Sequence, residues 1–254
     1  MVFETEVTEM SKSEWVENIE AEAENLAFAK KILSSIEQNL GSAIGYKGLL
    51  KAVQKNNELI ENLDKTPVTT CYAMTVSAHV QALILALMRI WDKAGTDRLS
   101  MGRLDKMFLK DSQFLRDCVA RAEKDWGGVR ESNRQKAEEL VLKMEEYLAD
   151  DGLYKELREV RDATIAHTLD KKEVPELTFI RLFEVVDETV KIFTDMQLLV
   201  SGVSANYEFL EEDFDLASKR FWKMLSDGAR IYDENKKKMI EDLYKGQIYA
   251  HSDI

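Results

Sequence analysis

LYKELREVRDATIAHTL, residues Leu153 to Leu169, is the stretch from which the rest of the chain can be organised. Apolar or small residues at Leu153, Leu157, Val160, Thr164 and Ile165 recur at three- and four-residue steps, the spacing of one buried stripe on a helix. The opposite face carries Arg158, Arg161, Asp162 and, at its far end, His167. Nowhere else does a histidine stand close in sequence to arginines and a carboxylate.

Outward from that stretch the same period continues. Upstream, Asp150-Asp151-Gly152 predicts an interruption, preceded by a helix from Val129 to Leu148. The mixed charge from Glu131 to Glu139 marks a solvated face or arm of that helix. Ser112 to Lys124 predicts a short helix, and Ser100 or a neighbour is the expected cap of another through Phe108. Thr69 to Lys93 is the most apolar segment, with Tyr72, Val76, Val80, Leu83, Leu87, Ile90 and Trp91 covering much of its surface. A helix apolar on most sides must be surrounded, so it is the expected centre of a bundle.

Nearer the N-terminus, Ser13 to Leu40 predicts a helix capped by Ser13, with Gly41 to Gly45 ending or kinking it and a second helix over Tyr46 to Leu63. Downstream, Pro175 opens an amphipathic helix to about Leu199, and Asn206 to Tyr244 is helical but more polar. The domain reading is a helical bundle over residues 1–200, including an acidic N-terminal helix, with an appended C-terminal helical region over 201–254.

Bulk composition agrees with an all-α fold. In 254 residues there are 2 prolines and 11 glycines, too few to break the chain often. A net charge of -12 weakens non-specific nucleic-acid binding and leaves room only for a local basic site. Cys71 and Cys118 make no disulfide framework and lack metal-site spacing. No basic region followed by an apolar run opens the chain, and the apolar run from Val80 to Trp91 is short and carries Arg89. A cytoplasmic protein with no membrane partner is the expectation.

Three histidines are available. His251 lies in the last few residues, and His79 sits in an apolar helix where a satisfied core role outweighs a catalytic one. His167 has two readings of equal standing: a partner of a helix C-terminus, or an acid–base group. Arg161 and His167 are separated by about 9 Å of rise and roughly 120° of rotation on an ideal helix. They can line one cleft if the helix ends or bends near His167, or if the cleft lies between two chains. Such a pair suits RNA cleavage. The imidazole moves protons while the 2'-hydroxyl attacks the adjacent phosphate, and the guanidinium neutralises charge on the phosphoryl oxygens. That chemistry asks for no metal and no cofactor. Asp162 repels a phosphate; it either orients Arg161 or His167, faces a partner, or is a plain surface carboxylate.

RDATIAH, Arg161 to His167, resembles the arginine-polar-x4-histidine signature of the HEPN superfamily (higher eukaryotes and prokaryotes nucleotide-binding). LREVRDATIAHTLD, Leu157 to Asp170, is similar to its form in an abortive-infection type U branch. YAMTVSAHVQALILALMRIWDK, Tyr72 to Lys93, followed by RLSMGRL, Arg98 to Leu104, also resembles that branch, and the likeness covers roughly Ala43 to Leu199. The resemblance implies a HEPN-like α-helical bundle, here with a charged helical arm and appended C-terminal helices. It implies a metal-independent endoribonuclease of a phage-defence or toxin–antitoxin type, working as a homodimer whose signatures face each other. A relative that has lost activity and serves as a scaffold is the alternative. Carried over, Arg161 and His167 are the catalytic residues and Asp162 is the polar residue after the arginine; Arg158 beside them is expected to add positive charge to the cleft, so Arg158 and Asp162 are the expected substrate-binding residues. Asp162 stands where the signature often has asparagine. RNA and an antitoxin or defence-system protein are the expected partners.

Overall fold

In the computed structural model, the described residues are 12–54, 61, 68–93, 99–108, 112–126, 130–162, 179–203 and 205–251. They form helices α1 (Lys12–Gln54), α2 (Val68–Trp91), α3 (Met101–Met107), α4 (Gln113–Trp126), α5 (Arg130–Leu148), α6 (Leu153–Arg161), α7 (Phe179–Ser201) and α8 (Glu208–His251). No strand occurs among the described residues, so the chain is all-α.

The helices contribute to two compact units. The first takes its residues from Met1–Asn39, Met88–Arg158 and Asp187–Ala205. Its buried residues recur at helical spacing: Ala29, Ile32, Leu33 and Ile36 on α1, and Ala137, Leu140, Val141 and Met144 on α5. In the charged stretch of α5, Gln135, Lys136 and Glu139 are exposed, with the opposite face buried where α5 packs against α3 and α4. An ion pair of 3.0 Å from Arg121 Nη2 to Glu22 Oε1 joins α4 to α1.

The second unit takes its residues from Leu40–Leu87, Glu159–Val186 and Asn206–Ile254. Ala52, Val53, Trp222 and Ala229 form a buried cluster, with Tyr72, Val76 and Leu225 packed on it. Trp222 is 1% exposed and donates from Nε1 to the Leu49 carbonyl at 2.9 Å. The first half of the region read from sequence as appended thus carries core residues of this unit, as a single helix. Asn206 Oδ1 accepts from the Glu208 amide at 2.9 Å, satisfying one open donor where α8 begins.

Three local expectations change. The glycines from Gly41 to Gly45 do not end a helix; α1 runs through them to Gln54. Their use is contact. A Cβ on Gly45 would lie 3.1 Å from Phe214 Cε1, and one on Gly48 would lie 3.2 Å from Phe214 Cβ. Bare backbone lets α8 seat Phe214 against α1, and that packing outweighs the low helix propensity of glycine. Ser13 falls inside α1, which already includes Lys12.

The second change concerns α2. Leu83, Ile84, Leu87, Ile90 and Trp91 are buried, but Cys71, Ala73, Met74, Ser77 and Ala78 are exposed, so only the C-terminal half is surrounded. By length and composition Thr69–Trp91 could cross a membrane, a longer apolar segment than the Val80 to Trp91 run. The third change is Ser100. It occupies the N-cap position of α3, but its hydroxyl makes no cap bond. It donates instead to the Asp92 carbonyl at 2.8 Å.

One half-buried and one buried titratable group yield predictions. Asp105 has its Oδ1 buried without a hydrogen-bond partner among the described residues. Burial, then the nearby Glu145 carboxylate, push its pKa up to about 6, with Lys106 opposing them. Between about pH 4 and 6 the folded chain therefore holds a proton that the unfolded chain has released. This contribution is full at low pH and is lost as pH rises through 6. Asp105→Asn is expected to stabilise the protein by about 1–2 kcal/mol at pH 7.5 and by little at pH 4.5. Urea unfolding at the two pH values checks it; a gain equal at both would contradict it.

Cys118 is buried, and burial pushes its thiol up to about 12, whereas Cys71 is exposed. A thiolate is the reactive form. At pH 8 the native protein should release one equivalent of chromophore rapidly from an aromatic disulfide reagent, and two after unfolding. Two rapid equivalents from the native state would contradict the burial of Cys118.

Candidate functional site

The site begins at a turn. The Gly152 amide donates to the Ala149 carbonyl at 3.0 Å, and the Gly152 carbonyl accepts from the Lys155 amide at 3.0 Å. An added Cβ on Gly152 would lie 2.9 Å from the Tyr147 carbonyl oxygen and closer still to that of Glu146. Those are backbone atoms, so a side chain fits only if the turn opens. Gly152→Ala should destabilise by about 1–3 kcal/mol, read from the urea midpoint. An unchanged midpoint would show that the turn yields freely.

From this turn α6 runs nine residues, Leu153–Arg161. Leu153, Leu157 and Val160 are buried at four- and three-residue steps, which fixes the rotation of the helix about its axis. Lys155, Arg158 and Glu159 are consequently exposed, and Arg161 and Asp162 lie half-buried at its end.

The first turn of α6 is held by the residues that follow α2. Tyr154 donates from its hydroxyl to Asp92 Oδ1 at 3.1 Å. Lys93 Nζ lies 6.0 Å from the Tyr154 ring centroid and donates to Asp150 Oδ1 at 2.5 Å. The Asp92 carbonyl accepts from Ser100. Next to them, Trp91 is fully buried and donates from Nε1 to Thr189 Oγ1 on α7 at 2.9 Å. The Tyr147 ring packs on Trp91 with centroids 4.9 Å apart, and its hydroxyl donates to Glu188. Trp91, Asp92 and Lys93 thus anchor α7, α6 and the turn before α6. Tyr154 had no signal in sequence, because its partner lies 62 residues away.

At the other end of α6, Arg161 meets Asp162. Nε donates to Asp162 Oδ1 at 2.8 Å, and Nη2 donates to the same oxygen. The two side chains remain 35% and 38% exposed, so solvent reaches both. The carboxylate fixes the direction of the guanidinium without enclosing it. Lys155, Arg158 and Arg161 are matched by Glu156, Glu159 and Asp162, so the charges along this segment of one chain balance.

His167 and the residues from 163 to 178 lie outside the described residues. Arg89, in the last turn of α2, is exposed, and Asp92 is engaged with Tyr154. His79 sits on α2, its Nδ1 donating to the Thr75 carbonyl at 2.6 Å. Among the described residues no three histidine, cysteine or carboxylate side chains gather as a metal cage.

With this geometry in hand, comparison with known proteins adds one finding. The model of the HEPN family AbiU2 matches residues 18–221, which includes α2, the α6 segment and the first third of α8. No curated protein and no solved structure matches the chain.

Proposed function

Because the chain belongs to the AbiU2 family of HEPN proteins, we propose that it is a metal-independent endoribonuclease of the phage-defence or toxin–antitoxin type. It acts as a homodimer on RNA in the cytoplasm, with an antitoxin or defence-system protein as its regulator. The observation that supports this most is Arg161: a half-exposed guanidinium, aimed by Asp162, on a helix anchored through Tyr154 and Asp92.

In this mechanism the Arg161 guanidinium binds the scissile phosphate and takes up the charge that grows on its oxygens. His167 accepts the proton of the 2'-hydroxyl as the 2'-oxygen bonds to phosphorus. The bond from phosphorus to the 5'-oxygen breaks, and that oxygen takes a proton from the imidazolium of a second copy. The products are a 2',3'-cyclic phosphate and a 5'-hydroxyl. Arg158, one helical turn before Arg161, contacts a neighbouring phosphate. In the homodimer, facing segments supply two of each arginine to one substrate.

One observation favours the inactive-scaffold reading. Asp162 competes with any phosphate for Arg161, and like charge repels the substrate. The two readings separate in one experiment. Purified protein, Arg161→Ala and His167→Ala are each incubated with mixed cellular RNA, with light scattering run on each sample. The ribonuclease reading predicts fragmentation by the parent protein alone, as a dimer. Equal RNA integrity in all three samples, or a strict monomer at high concentration, would contradict it.

A further inference from the structure

We propose that a cavity in the second unit, lined by α1, α2 and α8, binds a small, neutral, mostly apolar molecule that carries a hydroxyl group. Gly41, Gly45 and Gly48 lie at four- and three-residue steps on one face of α1. Gly45 and Gly48 are used by Phe214, as described above. Gly41 is not: a Cβ built there meets nothing within 4 Å. A glycine inside a helix is unfavourable unless its bareness serves a contact, and here no protein atom makes that contact. The open space belongs to a cavity of about 460 Å³ whose walls include Gly41, Tyr46, Leu49, His79, Phe214 and Ser218. That size falls among small-molecule pockets.

The lining defines the ligand class. None of its ten residues carries a formal charge apart from the titratable His79, so neither a phosphate nor an ammonium finds a fixed counter-charge. RNA is therefore not the occupant, and the proposal stands apart from the ribonuclease reading. Ser42, Tyr46, His79 and Ser218 interrupt the apolar wall with polar groups, and His79 and Ser218 are the pair assigned to the ligand. His79 Nδ1 donates to the Thr75 carbonyl at 2.6 Å, so Nε2 of the neutral ring is an acceptor. Tyr46 holds the ring edge-on with centroids 5.8 Å apart. Nε2 makes no hydrogen bond with a described residue. Ser218 is 2% exposed and stands in the same wall. A ligand hydroxyl can pair with both groups, as a donor to Nε2 and an acceptor from Ser218. The aromatic rings of Tyr46 and Phe214 suit a flat or ring-shaped apolar body.

The test uses the full chain with two probes of equal size, 4-ethylphenol and 4-ethyltoluene, titrated by ligand-observed NMR. Saturable binding of the phenol is expected, about five-fold tighter than the toluene, the worth of one net hydrogen bond. Gly41→Leu places a side chain in the open space and should abolish binding of both probes without lowering the melting temperature. His79→Phe and Ser218→Ala should each narrow the preference for the phenol. No saturable binding to the parent protein, binding that survives Gly41→Leu, or a preference untouched by both polar changes would overturn the proposal.

Discussion

Arg161→Ala is expected to lower the rate of RNA cleavage by about 10²–10³-fold, the usual loss when one preorganised group facing a developing oxyanion is removed. The fold should be almost indifferent. Arg161 and Asp162 are 35% and 38% exposed, and solvent-exposed pairs contribute about 0–1 kcal/mol. Activity and stability therefore separate at this position. Arg161→Lys should recover little, because an ammonium cannot give Asp162 and a phosphate the fixed fork that a guanidinium presents. Cleavage rates at saturating RNA beside urea midpoints check both statements. A ten-fold loss or less, or a matching loss of stability, would assign Arg161 a structural role.

Trp91→Ala should have the largest effect on stability, about 3–5 kcal/mol. The side chain is fully buried, and removing it empties the space under the Tyr147 ring. It also strips Thr189, itself 0% exposed, of the donor at 2.9 Å. Trp91→Phe keeps most of the volume and loses the indole donor, so it should cost only about 0.5–1.5 kcal/mol, the net worth of one hydrogen bond. Because Asp92 follows directly and holds Tyr154, the alanine variant should also lose cleavage activity where the protein is still folded. A urea midpoint within 1 kcal/mol of the parent's would show that α2, α6 and α7 are held by something else.

Much of the fold was legible because the deciding signals were local. Leu153, Leu157 and Val160 carry the rotation of α6 in their spacing, and all three are buried. Asp150-Asp151-Gly152 marks its start because a turn with no room for a side chain requires glycine there. Gly41, Gly45 and Gly48 misled for the opposite reason. Their poor helix propensity is local, while the partner that repays it at Gly45 and Gly48, Phe214, lies on a distant helix. Composition showed that α2 is apolar but could not say which half is covered; Met74 is 67% exposed and Trp91 not at all. At the site, the arginine and the carboxylate stood side by side in sequence, so their pairing was within reach. The clamp of Tyr154 on Asp92 was not, since a phenol and a carboxylate 62 residues apart meet only once α2 and α6 are placed.

The chemistry proposed for Arg161 and His167 leaves a signature on the RNA itself. Cleavage in excess chelator, followed by analysis of the new termini, tests it most directly. The account predicts 2',3'-cyclic phosphate and 5'-hydroxyl ends in the parent reaction and none with Arg161→Ala. New ends bearing 3'-hydroxyl and 5'-phosphate groups, or RNA left as intact by the parent protein as by the variant, would contradict it.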